Sequence, residues 1–187
     1  MNCSSTASSP ACAPSSSTSC SSSVTLSRST GSAAWSVIGS TLLDRSYTDV
    51  LTVPRRTPTK LVMPGLWDCL AGGVLDEGEQ PDDCAARELG EELGVSGIAL
   101  EKLFVYPFDA AALGVDTGPG SGPHGLRAHV HVYQAFWDGP VVHQPSEVAE
   151  GGWWTMEQLR RRLGSPEYPW VPDGLWITRR WLAAGVG

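Results

Sequence analysis

Three carboxylates at helical spacing dominate the chemistry available to this chain. Glu88, Glu91 and Glu92 stand at i, i+3 and i+4. On a helix that spacing puts them within about 100° of one face. Such neighbours repel by a few tenths of a kcal/mol per pair. The cluster therefore suits either a solvated face or a hard cation. Mg²⁺ and Mn²⁺ take oxygen ligands and pair naturally with phosphate groups. Arg87 can bridge to Glu91 at i+4, or reach back to orient Glu79.

The charge balance isolates the same segment. The 187 residues carry 13 Lys and Arg against 20 Asp and Glu, a net charge of −7. Between Gly73 and Val95 there are eight acids (Asp76, Glu77, Glu79, Asp82, Asp83, Glu88, Glu91, Glu92) and one base, Arg87. That stretch alone holds the net −7, and the rest of the chain is balanced. A protein that coats nucleic acid needs a basic patch, and none is present. No run of about 18 apolar residues suggests a membrane span. The five cysteines are Cys3, Cys12, Cys20, Cys69 and Cys84, with no C-x-x-C pair. Free thiols in a reducing cytoplasm are expected.

The spacing around the carboxylates is specific. Five residues separate Gly73 from Glu79, and seven more precede Arg87-Glu88-Leu89. Then follow Gly90, Glu91-Glu92, Leu93, Gly94 and Val95. This pattern resembles the Nudix box, with every fixed position filled. The resemblance implies an α/β fold, an α/β/α sandwich with a mixed sheet and a loop–helix–loop carrying the box. It implies a hydrolase that splits the pyrophosphate of a nucleoside diphosphate linked to another moiety, using Mg²⁺ or Mn²⁺. Carried onto this chain, Glu88, Glu91 and Glu92 are the metal ligands, joined by the carbonyl of Gly72. Glu79 and Arg87 support them. Glu91 and Glu147 are the candidate general bases, with Glu150 the rival in the Glu147 loop. Arg55 and Arg56 are possible substrate contacts. The implied partner is a small phosphorylated molecule, with no nucleic acid and no membrane, for a cytoplasmic monomer or homodimer.

The order Pro64-Gly65-Leu66-Trp67-Asp68, with Glu147-Val148, Trp154 and Pro172-Asp173, is similar to a branch containing isopentenyl diphosphate isomerases. Those isomerases need a catalytic cysteine at a place corresponding to Gly72, and Cys69 is offset by three. Hydrolysis therefore stands first. An isomerase-like enzyme and a non-catalytic nucleotide-sensing domain are the alternatives.

The surrounding elements must position these residues. Residues 1–32 are Ser-rich with almost no large apolar side chain, and they read as a disordered tail. The domain is expected over 33–187. Trp35–Ile38 and Val50–Val53 suit strands joined irregularly through Asp44 to Asp49. Residues 33–60 match the family poorly, and Pro54 stands where strand pairing is expected. Irregular packing of the first strands is expected there.

Trp67–Leu70 reads as a short strand. Pro81–Leu93 reads as a helix, with Pro81 at the first position and Gly94 as the stop. Ala86, Leu89 and Leu93 form its apolar stripe. Ile98–Tyr106, Arg127–Trp137 and Gly152–Trp154 read as strands, with a Gly/Pro-rich loop over 114–125. Thr155 with Gln158 forms a capping box for a helix to about Leu163. A last helix runs over about Asp173–Ala184. Trp153, Trp154, Trp176 and Trp181 are expected in the core, with Cys69 and Cys84 as packing residues. His129 and His131 fall on a half-exposed strand face.

Overall fold

The computed structural model describes residues 35–46, 50–117 and 125–185. The tail, the connection at 47–49 and the loop at 118–124 lie outside the described residues. The elements are β1 (Trp35–Asp44), β2 (Val50–Arg56), α1 (Pro81–Leu93), β3 (Glu101–Asp109), β4 (Arg127–Trp137), β5 (Val148–Thr155), α2 (Met156–Arg162) and α3 (Pro172–Ala183). Among the described residues the strands form one sheet in the order β3-β4-β1-β2-β5. The β1–β4 pair is parallel and the other pairs are antiparallel.

Alternation along the central strands builds two layers of core. Ile38 and Leu42 of β1, with Tyr133 and Ala135 of β4, pack with Cys84, Ala85, Leu89 and Leu93 of α1. The opposite face takes the residues between them. Leu43, Leu51 and Val53 pack with Leu159 of α2 and Trp181 of α3, while Val130 and Val132 pack with Ile177 of α3. The expected mixed sheet between helical layers is therefore present.

The first two strands are both interior to the sheet and well paired, with one register shift of β2 against β5 between Arg55 and Arg56. β1 pairs with β4 over ten consecutive residues, from Trp35 to Asp44. Pro54 is buried inside β2, opposite Gly151 of β5. Its carbonyl accepts from the N–H of Asp68 at 3.0 Å. The N and C=O of one strand residue point to the same side, so the protonless nitrogen also faces the Asp68 segment. The proline therefore leaves the β5 ladder intact. The irregular packing expected of the first strands is corrected accordingly.

Residues 67–75 do not form the expected strand. β1 and β2 pair at Leu43 and Leu51, then diverge. The 67–75 segment enters the gap through isolated bridges, Arg55 with Trp67, Ser40 with Ala71 and Val37 with Val74. It is bonded on both sides but belongs to neither ladder, and it delivers Gly72 and Gly73 to the centre of the fold.

Helix α1 has the expected bounds, with Gly94 left-handed at φ 67°. Its buried face differs from the expected stripe. Ala86 is exposed, and the buried positions are Cys84, Ala85, Glu88, Leu89, Glu92 and Leu93. Two box glutamates thus occupy the inward edge of the helix. The strands β3 and β5 run to different bounds from those expected, while β4 agrees. The capping box at Thr155 is complete, with Gln158 N–H donating to Oγ1 at 3.2 Å. Trp154 and Trp181 are core residues, but Trp176 is 39% exposed and stacks on Tyr106 with centroids 4.0 Å apart. Cys69 and Cys84 are buried free thiols.

Candidate functional site

Arg87 organises the box. Its Nε donates to Glu79 Oε1 at 2.9 Å and its Nη2 to Glu79 Oε2 at 3.0 Å, a forked pair. Its Nη1 donates to Glu88 Oε1 at 2.8 Å and to Glu91 Oε2 at 3.3 Å. One guanidinium thereby spans three carboxylates, which a planar fork does well. Glu79 also accepts the N–H of Asp76 at 2.9 Å. The Arg87 pair holds the Glu79 carboxyl down to about 2.

Glu88 and Glu92 lie deeper than Glu91. Glu92 is 5% exposed and Glu88 9%, whereas the Glu91 side chain is 53% exposed. Burial pushes the Glu88 carboxyl up, and the neighbouring Glu92 adds to it against the pull of Arg87. Burial also raises Glu92, while Lys60 and Arg56 pull it back. These groups are carboxylates kept at a cost in desolvation and mutual repulsion, a pattern that marks functional sites more often than structural ones.

The two glycines at the box entrance fit these carboxylates closely. The N–H of Gly72 donates to Glu92 Oε2 at 3.2 Å. A Cβ on Gly72 would stand 1.9 Å from the carbonyl oxygen of Ile38, and one on Gly73 would stand 2.2 Å from Glu88 Oε1. Only a residue without a side chain lets the segment pass between β1 and α1.

The loop before β5 meets the same place. Val142 N–H donates to Leu93 O at 2.9 Å and Gln144 N–H to Glu92 O at 3.0 Å, so the loop is fastened to the end of α1. Glu147, at its far end, forms an ion pair with Lys60. The Lys60 ammonium is also 3.6 Å from Glu92 Oε1. Burial, followed by the charge of Arg56, lowers the Lys60 ammonium from its ordinary value. Nothing in the local sequence around Lys60 signals this role. Its partners lie far along the chain and are brought to it by the fold.

The other expected residues separate. Arg55 and Arg56 are adjacent on β2 at a register shift against β5, and they take different partners. Arg55 pairs with Glu150 at 2.7 Å, donates to Gly65 O at 3.0 Å and lies 5.8 Å from the Trp67 ring centroid. That contact engages Glu150 outside the box. Arg56 donates to Val62 O at 3.1 Å, and its charge acts on Glu92 and Lys60. Among the described residues its buried Nε finds no hydrogen-bond partner. His129 is exposed and His131 half-buried on β4, as expected for a strand face.

Among the described residues, no three His, Cys, Asp or Glu side chains converge on one point as a ready-made metal cage. The box carboxylates face Arg87 and Lys60 instead. The donor set still fits a hard cation: buried carboxylate oxygens on one helix face, closely apposed to Gly72 and Gly73.

The family model described as NUDIX domain matches residues 35–174. A Nudix hydrolase of Rhodococcus erythropolis is 47% identical over 121 residues, covering 65% of this chain and 63% of that protein. One of Streptomyces coelicolor is 42% identical over 124 residues, covering 66% of this chain and 61% of that protein. One of Pseudomonas aeruginosa is 36% identical over 134 residues, covering 72% of this chain and 70% of that protein. The chain thus spans a little under two thirds of the first two relatives.

Two solved structures share the fold. DR0079 of Deinococcus radiodurans has a TM-score of 0.61 at 24% identity, over 78% of this chain and 82% of that one. The NUDIX domain of Shewanella oneidensis NrtR, complexed with ADP ribose, has a TM-score of 0.60 at 18% identity, over 81% and 88%.

Proposed function

This chain belongs to the Nudix family, and from that premise we propose that it cleaves the pyrophosphate bond of a nucleoside diphosphate linked to another moiety, with Mg²⁺ or Mn²⁺ as cofactor. The observation that carries the reading is the arrangement on α1. Arg87 is forked on Glu79 and holds Glu88 and Glu91 to one side, while Glu92 lies buried against the Gly72 amide.

A pyrophosphate resists attack because its oxygens are already negative. A bound divalent cation would neutralise that charge and lower the pKa of a coordinated water. Glu88, Glu91 and Glu92 are the carboxylates that would hold it, with the Gly72 backbone beside them. Glu79 and Arg87 keep those carboxylates in place. Glu147 is the base this arrangement favours, because its loop is fastened to α1 at Glu92 and it shares the Lys60 ammonium with Glu92, whereas Glu150 pairs with Arg55 away from the box. Glu91 is the second candidate base, exposed on the same helix face. Arg56, whose charge acts on Glu92, suits a phosphate contact.

The isomerase alternative needs a reactive thiol. Cys69 is 1% exposed, and burial pushes its thiol well above the usual range. A thiol in that condition is not a nucleophile or acid at neutral pH.

The test is release of phosphate or nucleoside monophosphate from a panel of nucleoside diphosphate derivatives, ADP-ribose included, with Mg²⁺ or Mn²⁺. Activity on some member, lost in Glu92→Gln and in metal-free buffer, is the expected result. Activity that survives both would overturn the reading.

A further inference from the structure

Lys60 lies outside the box, in the turn that follows β2, and three backbone contacts hold it at the box. Its own N–H donates to Thr57 O at 3.3 Å. Thr57 N–H donates to Glu147 O at 3.0 Å, and Thr57 Oγ1 to Ser146 O at 3.0 Å. Gln144 N–H donates to Glu92 O at 3.0 Å. The Lys60 turn, the Glu147 loop and the end of α1 are therefore joined through main-chain bonds. The lysine reaches two carboxylates from a fixed base. Its side chain is only 18% exposed, and its ammonium pairs with Glu147 and stands 3.6 Å from Glu92.

An ammonium is a compact point charge, and a divalent cation seeks the same carboxylate oxygens. Two cations this close repel strongly in a partly buried site. Glu88 and Glu91 are already bridged by Arg87, so Lys60 supplies the one close ion pair described for Glu92. Resting on the hydrolase reading above, we propose that Lys60 is a built-in counter-ion of the Glu92–Glu147 pair, which a divalent cation displaces, and that it thereby sets how tightly the site takes its cation. In this role Lys60 is a positioning residue. It keeps two like charges together until the stronger cation arrives.

The experiment is Mn²⁺ titration of the full chain, read by electron paramagnetic resonance of free Mn²⁺, with no substrate present. Wild type, Lys60→Met, Lys60→Arg and Glu92→Gln are compared, with circular dichroism confirming that each is folded. Lys60→Met is expected to bind Mn²⁺ about tenfold more tightly, since a repelling charge has gone. Lys60→Arg should stay near wild type, and Glu92→Gln should bind more weakly. In EDTA, Lys60→Met should unfold at a lower temperature than wild type, and saturating Mn²⁺ should erase the difference. A lysine that merely supports the fold would weaken Mn²⁺ binding when removed. Folded Lys60→Met with unchanged or weaker Mn²⁺ affinity, beside a wild type that hydrolyses with Mn²⁺, overturns this proposal alone. A wild type that binds no Mn²⁺ overturns the proposal and the hydrolase reading together.

Discussion

At the scale of single residues, Arg87 bears the most weight, because one guanidinium serves three carboxylates at once. Lysine keeps the charge but cannot present the fork to Glu79. Arg87→Lys is therefore expected to cut turnover by about 10–100-fold, the usual range for a residue that orients ligands. The acid limb of stability should move with it. Glu79 is held down to about 2 by Arg87. A depressed carboxylate adds stability that is present above its unfolded value near 4.5 and is lost as pH falls towards 2. In Arg87→Lys the folded value moves back towards 4.5, so less stability is there to be lost and the decline between pH 4.5 and 2 should be shallower. Urea midpoints measured at several pH values from 2.5 to 6 would show it, and superimposable acid limbs would refute the role assigned to the fork.

Glu79, Arg87, Glu88, Glu91 and Glu92 were legible in the sequence because they lie on one loop and one helix, where spacing alone fixes direction. Lys60 was not, because its partners Glu92 and Glu147 arrive from other segments. The Gly72 amide on Glu92 escaped for the same reason.

At the scale of elements, two readings failed for related causes. The apolar stripe placed on α1 omitted Cys84, Ala85, Glu88 and Glu92, and the two glutamates escaped because a stripe counts only apolar side chains. The site has put carboxylates where a purely structural helix would carry leucine, so Ala86 was left outside. Trp67–Leu70 has strand-like residues, but its hydrogen bonds go to two diverging strands in single bridges. No local pattern encodes the divergence of β1 and β2.

Asp68, in that segment, is 7% exposed and accepts Leu70 N–H at 3.1 Å. Burial, with Asp173 adding to it, pushes its carboxyl up to about 8. A raised carboxylate favours the folded state most below its unfolded value near 4. That contribution is lost as pH rises through the folded value. Stability should thus decline from about pH 4 to pH 8 on this account and level off above. Asp68→Asn keeps the shape and the acceptor. It is expected to flatten the decline and to be more stable than wild type at pH 8 by roughly 1–3 kcal/mol. Denaturant unfolding at pH 5 and pH 8 would measure the slope, and an equal decline in both proteins would count against a protonated Asp68.

At the scale of the whole fold, the two faces of the sheet divide the work. Strand alternation, the helix bounds and the capping box were all readable, because each depends on neighbours a few residues apart. The strand order was not, since the parallel β1–β4 pairing joins segments about ninety residues apart in sequence. That order has a functional consequence. The core under α1, built from Leu42, Ala71, Leu89, Leu93 and Ala135, is the floor of the carboxylate site. The core against α2 and α3 lies across the sheet, around Leu51, Leu159 and Trp181.

Leu89 is 1% exposed and Leu159 is fully buried, so either truncation to alanine should cost about 2–5 kcal/mol of stability. Their effects on catalysis should differ. Leu89 sits beside Glu88 on α1, and a cavity there lets the helix shift by fractions of an ångström beneath Arg87 and Glu92. Misplacement on that scale is enough to lower turnover severalfold to a hundredfold. Leu159 has no box residue in its cluster, and Leu159→Ala should keep turnover within about twofold of wild type at a temperature where both variants are folded. Urea unfolding and turnover at saturating Mg²⁺, measured on the same preparations, would separate the two effects. Equal losses of turnover for equal losses of stability would mean that the sheet transmits the damage, and that the site depends on the whole sandwich and not on the α1 layer.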